Sequence, residues 1–571
     1  MSQIEKIPII VGVTGHRNIM EEDKPQLKQT VIDCLKEIQA LCKCEGGDDT
    51  PIIMLNAFAQ GADMLCAEAA FELGIDVYGV LPREKERYIN SLDNEADKNK
   101  FNDYLTRAKR VFVAPDIEKN KSWLKKTNSN IDDEGYESRQ LGIYIAEHSH
   151  ILLALWDGTP PSEQFGWGTV EVIKFALEHN FLDKEHLFKP GTINDSAVAW
   201  IKSRREGDGA QANIERKWLI SNLESRAEHK QEYITSEEPP QFLKEIISKT
   251  VKYNNHSVGI SVGSAKLWKN ADDLDEYRRM VDYHYAKADE LSYSGNQRKY
   301  NLFLLLIAII GTVVACSFLI YDDASLPFMI FPCSIAVGVI IWLCYFGRKR
   351  AYHKAYIDYR AFAEALRIQF YMSLCLKEKE IVTNVCDLYS WTQKVDSVWI
   401  DKALRAIAVI SKTDKIKLTA SDVVEVWIGE SDSPKGQLKY HAQKRISNKK
   451  QAKKYETFSR VFRCAAIAIY FVIFAFEITA CILKACNIDW FWENNMFAQI
   501  SWRNFCAMIL GVFAAGSLLF SSYWGKLSFD RKWEDNEKMC KFYGSAYARW
   551  HEAKVHHNDE IEKFVKEIAR E

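Results

Sequence analysis

The amino-acid sequence predicts a doubly wound α/β domain with a parallel sheet, followed by an all-α membrane domain. In the first third of the chain, short apolar segments alternate with segments of helical periodicity, the pattern of a parallel sheet covered by helices. In the second half, four almost uncharged segments each have about 20 residues, the length that a helix needs to cross a bilayer. We expect four transmembrane helices in two hairpins, with helical extensions in the cytoplasm.

The composition limits the classes of function. The chain has 571 residues, with 75 Lys and Arg against 77 Asp and Glu. This near-neutral balance disfavours a nucleic-acid partner, for which a basic surface is expected. The 14 cysteines include no Cys-x-x-Cys pair, so we assign no metal site. Their scattered positions fit a reduced, cytoplasm-facing protein better than a disulfide scaffold.

Six short segments in the first 205 residues are typical of strands. They lie at 6–13, 52–55, 76–81, 111–114, 150–156 and 197–202, the last being a candidate final strand of the sheet. Because helical segments separate most of them, a parallel arrangement is expected. In such sheets ligands bind outside the carboxyl ends of the strands, so the loops that follow these segments are candidates for a site.

Three of these loops are rich in small residues, namely 14–17 (TGHR), 59–63 (AQGAD) and 166–169 (GWGT). Small residues let a backbone approach a ligand, and the N–H groups at a helix start favour phosphate. We therefore predict a nucleotide-type pocket made by Gly12, Thr14, Gly15, His16, Arg17, Ala59, Gly61, Ala62, Asp63, Pro82, Arg83, Trp156, Asp157, Gly166, Trp167, Gly168, Thr169 and Glu171.

Some residues of this set have alternative roles. His16 and Arg17 would donate to phosphate or ribose, but His16 also suits a helix cap or a solvent-facing position. Trp156 and Trp167 would stack on a base, although Trp156 ends a buried strand and fits the core equally well. No residue is assigned a catalytic role, and no cofactor is expected beyond a nucleotide-type signalling ligand.

The four predicted spans cover 302–321, 326–346, 462–483 and 505–524. Lys and Arg precede the first and third spans and follow the second and fourth, whereas the connection at 322–325 has none. The positive-inside tendency therefore places both chain ends and the central segment in the cytoplasm.

Glu477 is the one acidic or basic residue well inside a predicted span. A carboxyl group at that depth is costly, so it should face protein or water rather than lipid. Two roles are open: a hydrogen bond to a neighbouring helix, and a position that lines or gates a pore.

We divide the chain into five parts. Residues 1–205 form the α/β domain, and 206–270 form a helical connector. Residues 271–375 and 436–571 each carry one pair of spans. Residues 376–435 form a small helical module with a core that includes Trp391, Trp399 and Trp427.

The two span pairs repeat a plan. Tyr283-His284 and Tyr440-His441 each begin a charged helical segment that leads into the first span of a pair, and a long amphipathic segment follows each second span. Two unrelated amphipathic junctions are the alternative interpretation.

The motifs at 12–17, 61–63 and 166–169 resemble the SLOG superfamily, which includes LOG-type phosphoribohydrolases and DprA-like proteins, over roughly residues 6–205. The resemblance implies a Rossmann-like fold. LOG enzymes carry a PGGxGTxxE motif with a catalytic final Glu, but this chain has Val172 at that position and Glu171 one residue earlier. A binding role is therefore expected, as in related SLOG sensors that recognise a nucleotide-derived second messenger.

Residues 359–361 and 363–367, with 427–428 and 436–440, resemble the SLATT family of two-span effector domains over roughly residues 270–560. The resemblance implies a homo-oligomeric, membrane-perforating effector of a bacterial antiphage system, located in the inner membrane. Its partners would be the bilayer and a nucleotide-type signal. A membrane-anchored nucleotide N-glycosidase that uses Glu171, a ligand-gated channel or transporter of ordinary physiology, and a structural scaffold are the alternatives.

Overall fold

The structure is a computed structural model, and the chain forms two compact units. The first unit contains residues 1–285, 364–419 and 562–571, and the second contains 286–363 and 420–561. The described residues are 6–44, 47–115, 133–159, 168–178, 196–206, 214–221, 233–256, 266–268, 271–323, 328, 330–375, 398–410, 420–429, 436–497, 500–554, 564–565 and 567–568.

An eight-stranded sheet organises the first unit, with the spatial order β4-β3-β2-β1-β5-β6-β7-β8. The first six strands pair in parallel, whereas β7 pairs antiparallel with β6 and β8 pairs antiparallel with β7. The strands are β1 Ile9–Gly15, β2 Ile52–Asn56, β3 Asp76–Leu81, β4 Arg110–Val113, β5 Ile151–Trp156, β6 Ala197–Lys202, β7 Arg216–Ser221 and β8 Tyr233–Ser236. The predicted doubly wound sheet is confirmed.

Helices follow most of the parallel strands, as a right-handed crossover requires. They are α1 Lys24–Leu41, α2 Ala62–Glu72, α3 Lys85–Ile89, α4 Glu95–Arg107, α5 Asp133–His148, α6 Thr169–Glu178 and α7 Gln241–Asn255. Strands β1 and β5 are almost fully buried, because both of their faces are covered.

The prediction of a helical connector at 206–270 is wrong for part of that segment. Strands β7 and β8 extend the sheet there, and only α7 is a long helix. The strand signal is weak because β7 has six residues and buries only Trp218 and Leu219. The polar residues around these two side chains conceal a strand in the sequence.

The predicted helical module at 376–435 does not form one body. Helix α12 (Val398–Ile410) belongs to the first unit, whereas α13 (Ala420–Trp427) belongs to the second. Trp399 and Trp427 are buried as predicted, and Trp391 lies outside the described residues. Lys402 of α12 is buried and donates to the Ser149 carbonyl oxygen at 2.7 Å and to Ser196 Oγ at 2.9 Å.

Lys402 fixes α12 at the amino ends of β5 and β6, because Ser149 and Ser196 lie just before these strands. The neighbouring His150 accepts a hydrogen bond from the Ile10 N–H at 3.0 Å. Burial, reinforced by the Lys402 charge, lowers the pKa of His150 to about 3, so this imidazole stays neutral. Helix α12 is therefore an integral part of the first unit.

Long helices build the second unit, and four of them are long and apolar enough to cross a membrane. The helices that follow α7 are α8 Glu276–Glu290, α9 Arg298–Asp323, α10 Ile330–Arg350, α11 Tyr352–Cys375, α14 Gln437–Ala485, α15 Trp502–Leu527 and α16 Phe529–Lys554. The four apolar segments lie in α9, α10, α14 and α15, which confirms that the chain has four helices of the length and composition needed to span a membrane. Helix α9 packs against α10 and α15, and α14 packs against α15 and α16.

Candidate functional site

The carboxyl ends of β1, β2 and β5 lie side by side, because β1 pairs in parallel with both of the other strands. The chain leaves β1 towards β2 on one side and later returns to β5 on the other side. This point, where the strand order reverses, is the usual ligand position in doubly wound sheets. The loops at 14–17, 57–61 and 157–159 meet there.

Gly61 lets the loop after β1 pack closely against the start of α2. Its φ is +83°, and a Cβ at this position would lie 2.2 Å from the carbonyl oxygen of Arg17. The next residue, Ala62, donates its N–H to the carbonyl oxygen of His16 at 3.0 Å. Gly15 allows the same approach, since its Cβ would lie 2.3 Å from that of Ala62. The small residues here bring two loops of the chain together.

Gly12 lies inside β1 rather than at its end. A Cβ at Gly12 would lie 2.3 Å from Ser149 Oγ and 2.6 Å from a methyl carbon of Ile145. The residue therefore lets α5 and the turn after it approach β1, and it is part of the packing beneath the loops.

His16 and Asp157 face each other across this edge. Both side chains are almost buried, with His16 Nε2 3.4 Å from Asp157 Oδ1. Arg205 Nε lies 2.8 Å from the second carboxylate oxygen of Asp157. Thr159 donates to Asp157 from its N–H at 2.9 Å and from its hydroxyl at 2.7 Å. The site therefore contains a carboxylate held between an imidazole and a guanidinium.

Burial opposes the ionisation of Asp157, but the hydrogen bonds from Thr159 and the nearby His16 and Arg205 outweigh it. Together they lower the pKa of Asp157 below its ordinary value. The carboxylate is thus charged at neutral pH. The N–H of Asp157 also donates to His16 Nε2 at 3.4 Å, so the start of the loop after β5 holds the orientation of the His16 ring.

Arg205 is a site residue that the sequence reasoning missed. The segment after β6 pairs with the loop after β1, since Ile19 and Arg205 form an antiparallel bridge. Beside it, Arg204 makes a bidentate ion pair with Asp23 at 2.7 and 2.8 Å. The available signal was that these arginines follow a parallel strand, as the other site loops do.

Arg17 is the exposed cation of this edge. Among the described residues it takes part in no ion pair, whereas the nearby Asp63 is buried. Burial raises the pKa of Asp63 to about 7, against the opposing effects of the Ala59 N–H and the Arg17 charge. Arg17 therefore carries a positive charge that the partly ionised Asp63 compensates only in part.

Pro82 and Arg83 stabilise the fold. Both residues are buried, and Arg83 forms ion pairs with Glu134 at 2.5 Å and with Glu137 at 3.0 Å. These carboxylates lie in the first turn of α5, so Arg83 fixes the start of that helix. Its guanidinium is already neutralised and is not a free anion ligand.

Trp156 belongs to the core, the alternative that the sequence left open. Its indole N–H donates to the carbonyl oxygen of Thr159 at 3.1 Å, and its own carbonyl oxygen accepts from the indole of Trp200 at 2.9 Å. The two rings lie 5.6 Å apart in a tilted contact. These bonds shape the loop after β5 rather than offer an open stacking surface.

Glu171 caps the helix that begins at Thr169. The N–H of Gly168 donates to Glu171 Oε2 at 2.8 Å, which is one half of a capping box. The buried Arg139 lies near this carboxylate; burial lowers the pKa of Arg139 to about 10, and the Glu171 charge opposes the shift. Gly166 and Trp167 lie outside the described residues. Glu171 is thus engaged with its own chain.

The described residues contain no group of three or more His, Cys, Asp and Glu side chains that could hold a metal ion. The side chains present at this edge suit the binding of an anion and of hydroxyl groups. Arg17 supplies charge, Thr14 and Thr169 supply hydroxyl groups, and Asp157 supplies an acceptor.

In the second unit, Glu477 is bound by two donors of its own chain. Arg503 Nε lies 2.6 Å from Glu477 Oε1, and the indole N–H of Trp492 donates to the same oxygen at 3.2 Å. Arg503 is the second residue of α15, so the pair ties α14 to the start of its neighbour. Of the two roles open for Glu477, these contacts support the structural hydrogen bond.

Replacing Gly61 by Ala should destabilise the first unit more than replacing Gly74 by Ala. Both glycines have positive φ, at +83° and +67°, but a Cβ at Gly74 meets no atom within 4 Å. The Gly74 variant isolates the backbone strain, about 1–2 kcal/mol. Gly61→Ala adds a clash with the Arg17 carbonyl. Thermal unfolding of the full chain in detergent measures the stability of both variants. Equal losses of stability would contradict the role of Gly61 in packing the loop after β1 against α2.

A double-mutant cycle on Glu477→Gln and Arg503→Gln should give non-additive effects. Each single variant leaves the other residue without its opposite charge, so the double variant should lose less stability than the sum, by about 0.5–3 kcal/mol. Thermal unfolding in lipid nanodiscs is the measurement. Additive losses would show that the pair does not hold α14 to α15.

No family model and no curated protein matches this chain. Two features of the molecule itself bear on its function. One is the loop edge around His16, Arg17 and Asp157, and the other is the set of four apolar helices in the second unit.

Proposed function

We propose that the first unit binds a nucleotide-derived second messenger and that binding makes the four apolar helices permeabilise a membrane. The observation that supports it most is the exposed Arg17 at the reversal point of the sheet, which forms no ion pair with another described residue, on a chain that also carries these helices. The SLOG and SLATT resemblances agree with this function and suggest antiphage defence in the bacterial inner membrane.

The expected ligand contacts follow from the chemistry of the edge. Arg17 would pair with a phosphate group, and Thr14 and Thr169 would donate from their hydroxyls. The charged Asp157 would accept from a ribose hydroxyl or a base N–H and would repel a phosphate placed too close to it. A ligand that combines phosphate with sugar or base donors fits this arrangement better than inorganic phosphate does.

Transmission to the membrane requires that the ligand bind one state of the protein more tightly than another. The chain passes between the two units at 285–286, 363–364, 419–420 and 561–562. At the first of these points, α8 continues through a π-helix, Leu291–Gln297, directly into α9. A change in the first unit therefore has a continuous helical path to a membrane-length helix.

Arg17→Gln should weaken binding by about 10- to 150-fold, the value of a charge-assisted hydrogen bond of about 1.5–3 kcal/mol. The probes are cyclic dinucleotides, NAD and nucleoside monophosphates, tested by calorimetry and by dye release from proteoliposomes. Arg107→Gln is the matched control, since Arg107 ends α4 just before β4, at the opposite edge of the sheet. Equal affinity of both variants for a probe that the wild type binds would contradict the site.

Accessibility tags at residues 1, 323 and 571 should report cytoplasm, outside and cytoplasm. This pattern follows from the excess of Lys and Arg at one end of each span pair. Labelling with a membrane-impermeant reagent in intact cells and in inverted vesicles measures it. If residue 323 reacts only from the cytoplasmic side, the arrangement of two hairpins is wrong.

A further inference from the structure

The second unit contains two copies of one helical pattern. Arg298-Lys299-Tyr300 precedes the first apolar segment and Lys453-Lys454-Tyr455 the third, and each tyrosine is followed three residues later by a phenylalanine, Phe303 or Phe458. The second helix of each pair ends at a non-glycine residue of positive φ: Ala351 at +46° and Ser528 at +50°. Non-glycine residues seldom adopt this conformation, so its recurrence is informative.

Ring contacts place these markers in the same spatial relation in both pairs. The Tyr300 ring stacks on His353, two residues after Ala351, at 4.9 Å. The Tyr455 ring stacks on Phe529, one residue after Ser528, at 5.7 Å. Helices α9 and α10 therefore form one repeat, and α14 and α15 form the second.

One helix contact joins the two repeats within the chain. Helix α9, the first of its repeat, packs against α15, the second of the other repeat. A Cβ on Gly311 of α9 would lie 3.4 Å from both methyl carbons of Leu519, so the absent side chain lets these helices approach. This contact joins unlike helices of two like repeats, which is the geometry of a head-to-tail interface.

In the repeat, α14 corresponds to α9 and α10 corresponds to α15. These two helices, α10 and α14, are more exposed than α9 and α15. In the apolar windows of α9 and α15, 17% of the residues are buried, against 6% for α10 and 0% for α14. On α10, Phe331, Ile335, Trp342 and Tyr345 are 60–69% exposed, and a Cβ on Gly338 would meet nothing within 4 Å. Together with Gly338, these residues are spaced by four, three, four and three positions, so they form one stripe along the helix.

Residues at the same distance from these markers correspond to each other in the two repeats. Gly311 lies 11 residues after Tyr300, and Ala466 lies 11 residues after Tyr455. Leu519 lies nine residues before Ser528, and Trp342 lies nine residues before Ala351. The counterpart of the Gly311–Leu519 contact is therefore Ala466 with Trp342, again a small residue opposite a large apolar one.

We propose that a second copy of this chain packs its α14 against the exposed stripe of α10, with Trp342 of one copy against Ala466 of the next. The contact repeats, between chains, the α9–α15 contact that already exists within each chain. A head-to-tail interface of this kind closes into a ring or continues as an open array. The inference needs the four helices to lie in a bilayer, but it does not need the ligand-binding proposal.

The test is a photocrosslinking experiment on the full chain in liposomes, without added nucleotide. A benzophenone amino acid replaces Trp342, and mass spectrometry identifies the attached peptide. The expected product is a covalent dimer whose second chain is attached through α14 near Ala466. Attachment to lipid alone, or to any helix other than α14, overturns the proposal.

Ala466→Phe should remove the crosslinked dimer, because the added ring fills the space that Trp342 would occupy. Ala468→Phe is the control, since it adds the same ring to the same helix two positions on, about 200° around the axis, at an exposed position, whereas Ala466 is half-buried. Retention of the dimer in the Ala466 variant, or equal loss in both, overturns the proposed register. Protein mass in nanodiscs gives an independent readout: a monodisperse monomer for the unmodified chain also overturns it.

Discussion

The candidate site depends on one backbone hydrogen bond, from the N–H of Ala62 to the carbonyl oxygen of His16. This bond can form only because Gly61 has no side chain and adopts a positive φ. It fixes the loop after β1 against the start of α2, and thereby sets where the His16 imidazole and the Arg17 guanidinium lie. Asp157 and Arg205 then complete the edge from the strands on the other side.

Several charged groups near this edge stabilise the protein rather than serve a ligand. Arg83 is neutralised by two glutamates of α5 and Arg204 by Asp23, and Glu171 accepts a hydrogen bond from the backbone at the start of its own helix. These contacts fix the segments around the candidate site. Arg17 differs because it is exposed and keeps its charge uncompensated by any ion pair in the described part of the chain.

Local sequence pattern predicts the strands and spans well, and it predicts little that depends on distant contacts. Strands β2, β3 and β5 and the four apolar helices follow from runs of apolar residues, which need no knowledge of their neighbours. Strand β7 and the role of Arg205 depend on pairing with β6 and with the loop after β1, far away in the sequence. The capping bond of Glu171 was likewise hidden, because its spacing from Gly168 also suits a ligand contact.

The position of α12 has a consequence for the order in which the protein is made. Its Lys402 and Trp399 complete the amino edge of the first unit, yet the ribosome synthesises them after α9 and α10. The α/β unit therefore cannot finish folding while the nascent chain is still short of its first two apolar helices. A fragment that stops at residue 285 therefore lacks the contacts that α12 makes with Tyr253 and Ser149 in the full chain.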